Sequence, residues 1–230
     1  AQRKQFTYEH NQSVDYGIDF YAPQTTLTPD GRRIMIAWMQ NWDTCDQNGA
    51  KERKWFGQMT LPRELSIRDG RLIQRPVREI ENYYGEKISY KNVPLSTETF
   101  LTGIRGRTID MTVNVRPANG SVMYHAFRMN LAKDGEHVTT IRFKPDQGIV
   151  RVDRSRCGYR FDIVHVREFP VYSRHGCIRL RVVMDKHSLE LFVNDGEQAA
   201  SFVMYTPVSA DVISFEAEGE VLMDVDKHDL

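Results

Sequence analysis

The residues best suited to chemistry lie in the first third of the chain. Asp15-Tyr-Gly-Ile-Asp19-Phe-Tyr21-Ala sets two carboxylates and several aromatic rings around a glycine. Trp38 and Trp42 follow, four residues apart, and then Trp55-Phe-Gly-Gln-Met-Thr-Leu-Pro-Arg63-Glu64-Leu. Aromatic rings beside carboxylates suit sugar binding, because the C–H-rich face of a sugar stacks on a ring while its hydroxyls need acceptors. Core packing of a tryptophan- and tyrosine-rich β unit is the competing reading of the same residues.

Strands are the elements that must carry these groups. In Thr108-Ile-Asp-Met-Thr-Val-Asn-Val115 the apolar residues Ile109, Met111, Val113 and Val115 fall on one face, as in a half-buried antiparallel strand. Similar patterns predict strands at 33–39, 61–67, 71–75, 122–129, 138–144, 161–166, 178–184, 189–193, 199–204, 212–217 and 221–225. Turn signals separate many of them: Asp69-Gly70, Asn119-Gly120, Asp134-Gly135, Gln147-Gly148 and Asp195-Gly196. Residues 76–84, with Pro at the first position, form the one plausible helical turn. Short strands in such succession predict an all-β chain ending in a β-sandwich. All three tryptophans precede residue 56. This shift divides the chain into a β unit over 1–83 and a sandwich over 84–230.

Composition excludes several functions. The 230 residues carry 31 Lys+Arg against 31 Asp+Glu, so no basic surface for nucleic acid is expected. No apolar run is long enough to span a membrane as a helix, and the start shows no signal-peptide pattern. Three cysteines, Cys45, Cys157 and Cys177, make neither a disulfide scaffold nor a zinc ribbon. A cytoplasmic location is expected, with two Asn-x-Ser sequons, at Asn11 and Asn119, leaving secretion open. The seven histidines are scattered one to a segment, so no metal site and no cofactor are expected. The cationic stretch Arg151 to Arg160, with Asp153 and Asp162 near its four arginines, reads as a solvated hairpin.

Asp15-Tyr-Gly-Ile-Asp-Phe-Tyr-Ala-Pro-Gln24 resembles the Asp-x-Gly-x-Asp-Phe-Tyr-Ala motif of family 32 glycoside hydrolases, the invertases, sucrose-6-phosphate hydrolases and fructan exo-hydrolases. Arg33-Ile-Met-Ile-Ala-Trp-Met-Gln-Asn-Trp42 is similar to the family's next strand, with Ala37 in place of a usual glycine. Residues 55–65, Asp153-Arg-Ser-Arg-Cys-Gly158 and Leu189-Glu-Leu-Phe-Val-Asn-Asp-Gly196 resemble further segments of the family, in the same order. The resemblance implies a five-bladed β-propeller joined to a β-sandwich, here with the last blade and the edge of the one before it. It also implies retaining hydrolysis of a terminal β-fructofuranosyl unit, without metal or cofactor. Trp42 matches a tryptophan that packs on the substrate, and Asp19 and Tyr21 match a motif beside the fructose site. The family's nucleophile motif Asn-Asp-Pro-Asn-Gly, its Arg-Asp-Pro and its acid/base Glu-Cys do not occur in the sequence.

A retaining glycosidase needs two carboxyl groups roughly 5–5.5 Å apart. If the chain cleaves sugars alone, they must come from residues such as Asp15, Asp19, Asp43 and Glu64, with Asp19 and Glu64 the first candidates. Otherwise the chain is a truncated β-fructosidase completed by a partner, a non-catalytic carbohydrate-binding or assembly module, or an inactive fragment. The start at Ala1, without Met, points toward a piece of a longer enzyme. A blade packs face to face with a neighbour on each side, and Phe20, Tyr21, Ile34, Ile36 and Trp38 supply those faces. Leaving four or five such side chains in water would forgo about 6–15 kcal/mol, comparable to the stability of a whole domain. The expected partners are therefore a β-fructoside sugar and either a second copy of the chain or a complementary N-terminal propeller fragment.

Overall fold

The computed structural model describes residues 11–43, 57–120, 123–158 and 164–230. It is all-β among those residues, with three antiparallel sheets and a single 3-10 helix. The first sheet contains, in chain order, β1 (Tyr21–Leu27), β2 (Arg33–Trp38), β3 (Arg63–Arg68) and β4 (Arg71–Pro76). After the 3-10 helix (Arg78–Tyr83), β5 (Lys87–Leu95) and β6 (Thr108–Pro117) open a sandwich. It continues through β7 (Ala126–Lys133), β8 (Val138–Lys144), β9 (Ile149–Arg156), β10 (Val166–Pro170), β11 (Ile178–Asp185), β12 (Ser188–Val193), β13 (Gln198–Val203), β14 (Val212–Glu218) and β15 (Val221–Asp229). One sandwich sheet has the order β10-β9-β8-β7-β14 and the other β13-β12-β11-β6-β15-β5.

Alternation explains the packing. Phe127, Phe143 and Val152 from the five-stranded sheet meet Met111, Val182 and Leu191 from the six-stranded sheet in one continuous core. A smaller cluster of Ile80, Val183, Phe192 and Ala199, flanked by Leu61 and Tyr84, joins the 3-10 helix to the outer face of the six-stranded sheet. In the first sheet Met35 pairs with Arg63 and Ile34 with Glu64. Successive side chains point to opposite faces, so Met35 and Arg63 share the face turned to the sandwich. Ile34, Ile36 and Trp38 share the other face, where they are half-buried. All seven residues of β1 are exposed. The sandwich thus covers one face of this sheet, and the edge strand β1 is left open.

Residues 11–20 connect the two parts. Tyr16 N–H donates to Ala199 O at 2.9 Å and Ile18 N–H to Ser201 O at 3.1 Å, so the segment runs along β13. The approach requires Gly17: a Cβ there would stand 2.0 Å from the Ser201 carbonyl oxygen.

The sequence pattern places most strands to within a few residues, and Asp69 and Gly70, with φ of 51° and 73°, form the expected hairpin turn. Three expectations need correction. Pro76 ends β4 opposite Arg63 instead of opening a helix, because Val77 N–H is still tied to Pro62 O at 3.0 Å. The stretch from Arg151 is no solvated hairpin over its described part; it lies in β9, with Val150, Val152 and Arg154 turned inward. β1 and β5 are strands that the sequence pattern does not predict, and β10 meets the strand expected at 161–166 only at Val166. Residues 161–163 of one expected strand, Val122 at the start of another, and Cys45 and Trp55 lie outside the described residues.

Replacing Gly17 by Ala tests the docking of residues 11–20. The neighbour is backbone and cannot yield, so Gly17→Ala is expected to cost about 1–3 kcal/mol in urea unfolding. At Gly135 an added methyl group would meet nothing within 4 Å, so Gly135→Ala is expected to stay within about 0.5 kcal/mol of wild type.

Candidate functional site

Three aromatic rings gather at the start of β1 and the end of β2. The register shifts between Tyr21 and Gln24 at a bulge, where Ala22 adopts φ of 48°. Bulges re-aim side chains, and here Tyr21 is brought opposite Trp38. Its ring centroid lies 6.1 Å from that of Trp38 and 5.1 Å from that of Trp42, both edge to face. Trp38 and Trp42 are 6.3 Å apart and nearly perpendicular. Trp42 is 65 % exposed and Tyr21 44 %. The group forms an accessible aromatic rim of the kind that stacks on a sugar.

Asp19 underlies this rim. It is fully buried. Its Oδ1 accepts from Asn41 Nδ2 at 2.6 Å, and its Oδ2 accepts from Arg154 Nη1 and from Val203 N–H, each at 2.7 Å. Arg154 is also fully buried and donates to Val203 O at 2.7 Å. One carboxylate therefore ties the residue before Trp42 to β9 and β13 of the sandwich. Burial of both charges is tolerable only because each is paired and hydrogen-bonded.

Arg63 makes the second connection. Its Nη1 donates to Asp15 Oδ2 at 2.9 Å and to Gln74 Oε1 at 3.1 Å; Nη2 donates to Glu190 Oε2 and Ser201 Oγ, both at 2.6 Å; Nε donates to Glu190 Oε2 at 3.0 Å. The guanidinium also lies between the rings of Phe20 and Phe192, 5.3 and 5.2 Å from their centroids. Glu190 accepts a further bond from Leu61 N–H at 2.6 Å.

Glu64, the next residue, faces the opposite way and does not pair with Arg63. It accepts from Arg32 Nη1 at 2.8 Å and Arg78 Nε at 3.2 Å. Partial burial pushes its carboxyl up, but the bonds from Arg78 and Arg32 outweigh this and hold it at about 2. A carboxyl held there carries no proton to donate at neutral pH. Asp19, for its part, has no exposed oxygen. As placed, the two do not make an acid/base pair. Tyr21 and Trp42 do lie together, and Asp19 lies beneath them through Asn41. Asp15 is drawn into the Arg63 cluster, where Gly17 N–H, Ser201 N–H and Ser201 Oγ also bond to it. Asp43 N–H bonds to Asn41 Oδ1 at 2.9 Å.

Sequence reasoning missed Arg154, Glu190 and Asn41. Arg154 and Glu190 each occupy a strand position whose neighbour two residues away is a core hydrophobic, Val152 for one and Phe192 for the other. A charge at an inward position of an alternating strand was the available signal. Among the described residues no cluster of His, Cys, Asp and Glu could hold a metal ion. Nor is any helix long and apolar enough to cross a membrane.

The comparisons with known proteins agree with this architecture. The model of the glycosyl hydrolases family 32 N-terminal domain matches residues 1–76, and that of the family 32 C terminal matches residues 79–229. The fold, one four-stranded sheet docked on a two-sheet β-sandwich, and these two matches define the class. The chain belongs to glycosyl hydrolase family 32. It is 33 % identical over 228 residues to raffinose invertase from Escherichia coli, covering 92 % of this chain and 42 % of the relative. A sucrose-6-phosphate hydrolase from Zymomonas mobilis is 31 % identical over 231 residues, covering 97 % and 44 %. Among solved structures, fructan 1-exohydrolase IIa from Cichorium intybus in complex with 1-kestose superposes with a TM-score of 0.82 at 20 % identity, covering 95 % and 49 %. An exo-inulinase from Aspergillus awamori gives 0.79 at 19 %, covering 97 % and 46 %. The chain thus spans less than half the length of these relatives.

The ion pairing of Glu64 gives a test in acid. Its carboxyl is lowered from 4.5 to about 2. Its stabilisation is therefore complete above pH 4.5 and fades as pH falls toward 2. Glu64→Gln is expected to unfold at a lower temperature than wild type at pH 7, with the two melting curves converging between pH 4.5 and 2. A gap that stays constant over that range would show that the charge of Glu64 contributes nothing.

Proposed function

We propose that this chain is the C-terminal portion of a β-fructosidase acting on sucrose and fructo-oligosaccharides, with Trp42 and Tyr21 forming part of the wall that receives the sugar. The observation that carries this reading is the aromatic rim held over the buried Asp19–Asn41–Arg154 linkage, in a chain that belongs to family 32. On this reading Asp19 positions Trp42 and does not touch the substrate, and Glu64 is an ionic tie on the far face of the sheet. The carboxylates for retaining hydrolysis then come from outside these 230 residues. We divide the chain into a partial propeller over 1–83 and a sandwich over 84–230. The half-buried face of Ile34, Ile36 and Trp38, with the open strand β1 beside it, supports company on that side, either another copy or a complementary propeller fragment.

A second reading, a carbohydrate-binding or assembly module without turnover, is favoured by the environments of Asp19 and Glu64, neither of which is that of a general acid. One assay on protein of verified intact mass, incubated with sucrose and with inulin, tests whether catalysis lies within the chain; adding a complementary N-terminal propeller fragment then separates the two readings, because only the first expects fructose release to appear. The expected result is no release of fructose by the chain alone, with tryptophan fluorescence responding to sugar and losing that response in Trp42→Ala. Release of fructose that disappears in Asp19→Asn or Glu64→Gln would overturn the assignment of catalysis to residues elsewhere. The same sample in size-exclusion chromatography with light scattering is expected to run as an oligomer; a stable, soluble monomer contradicts the need for a partner.

A further inference from the structure

The outer face of the five-stranded sheet carries a row of arginines that neither the aromatic rim nor the buried junction uses. Arg128 on β7 pairs with Arg142 on β8, and Arg142 pairs with Arg151 on β9. Glu216 on β14 and Glu168 on β10 stand at the two ends of the same row, opposite Arg128 and Arg151. Directly paired residues share a face, so three arginines project together from adjacent strands about 5 Å apart. Like charges directly opposite each other destabilise a sheet. β9 adds a fourth arginine: its register against β8 shifts between Thr140 and Val138, which brings Arg156 opposite Val138. Such a bulge re-aims a side chain, and here it returns Arg156 to the face that carries Arg142 and Arg151.

The four arginines line a groove of about 470 Å³, in which Asp153 is the one carboxylate among the described lining residues. Its Oδ1 is taken up by the N–H and Oγ of Ser155, and its Oδ2 by Arg151 Nη2 at 3.1 Å. The other countercharges stand at the rim of the groove. Glu218 accepts from Nη2 of both Arg128 and Arg142, Glu216 pairs with Arg128 at 3.3 Å and Glu168 with Arg151 at 3.2 Å. All three glutamates are partly exposed, and such pairs contribute little, so an incoming anion displaces them at small cost. Donors also remain. Nη1 of Arg142 is unpaired and not buried. Arg156 is exposed; its Nη2 bonds to Glu136 O at 2.9 Å, and among the described residues it has no ion-pair partner. With carboxylates at both ends of the row, the groove suits a small ion and not a nucleic-acid backbone.

Guanidinium forks match the oxygens of a phosphate two at a time, and hydrogen bonds to a charged acceptor are the strong ones. A singly charged carboxylate would gain no more than the glutamates already supply. A phosphate brings more charge and more oxygens, which reach arginines on several strands at once. We propose that this groove is a phosphate site, which takes a phosphate group, free or carried by a small molecule, on Arg142 and Arg156 with Arg128 and Arg151 beside them. The site shares no residue with the aromatic rim and does not depend on the function proposed above.

Calorimetric titration of the full chain tests the proposal, at constant ionic strength because added salt alone screens exposed charges. The probes are inorganic phosphate, pyrophosphate and glycerol 2-phosphate, with acetate as the singly charged control. Pyrophosphate is expected to bind most tightly and acetate not at all. Arg142→Gln and Arg156→Gln should each weaken pyrophosphate by about tenfold or more. Glu218→Gln, which releases Arg128 and Arg142 from their shared partner, should tighten it; a purely structural ion-pair network would show no such gain. Arg156 is exposed, so its variant carries the test even where Arg142→Gln perturbs the sheet. No binding of any phosphate, equal binding in wild type and Arg156→Gln, or acetate binding as tightly as phosphate overturns the site. Binding of glycerol 2-phosphate as tight as that of inorganic phosphate supports the site with a phosphate ester as its occupant, and binding of the inorganic ions alone supports it with the free anion.

Discussion

The buried guanidinium of Arg63 is the constraint on which the rest of the structure depends. It projects from the first sheet into the fully buried junction with the sandwich, where Asp15, Glu190, Gln74 and Ser201 receive its donors and the rings of Phe20 and Phe192 lie against it. Burial pushes the carboxyl of Glu190 up, while Arg63 and the Leu61 N–H oppose that shift. Removing one member of such a cluster leaves an uncompensated buried charge, at a cost of about 3–5 kcal/mol. The arrangement specifies a relative placement: five donors aimed at fixed acceptors permit one orientation of the first sheet on the sandwich, where apolar packing alone would permit sliding.

The Asp19–Arg154 pair extends the same logic to the aromatic rim. Trp42 lies on a loop, and a loop side chain is useful for recognition only if its backbone is held. Asn41, bonded to Asp19, which is in turn bonded to β9 and β13, supplies that hold. The sandwich therefore takes part in the rim without contributing a residue to its surface. The segments that carry the family resemblance converge here. Asp15 and Asp19 come from the first, Asn41 and Trp42 from the second, Arg63 from the third, Arg154 from the fourth and Glu190 from the fifth. Their charged residues meet as partners in the junction between sheet and sandwich.

That convergence explains what could be read in the sequence and what could not. Strands such as β6 and β11 announce themselves by period-two alternation, because one face is core and the other is water. β1 and β5 do not, since they are edge strands with little buried surface, and each includes a proline. β9 was obscured because one of its inward residues is Arg154, which breaks the apolar rhythm. The two aspartates of the first motif were visible as a constellation, but their function turns on partners far along the chain: Arg154 is 135 residues from Asp19, and Glu190 is 127 from Arg63. Spacing within a motif carries no information about such partners. It therefore leaves both catalysis and bracing open, and the burial of Asp19 favours bracing.

The claim that buried ion pairs fix the first sheet to the sandwich is tested most directly by urea unfolding followed with two probes. Tryptophan fluorescence reports on the first part of the chain, which holds all three tryptophans, and far-ultraviolet circular dichroism reports chiefly on the more numerous sandwich strands. In the wild type the two transitions should coincide. In Arg63→Met the fluorescence transition should move to lower urea and separate from the dichroism transition, as the first sheet loses its attachment while the sandwich core persists. Coincident transitions at an unchanged midpoint in Arg63→Met would contradict the account.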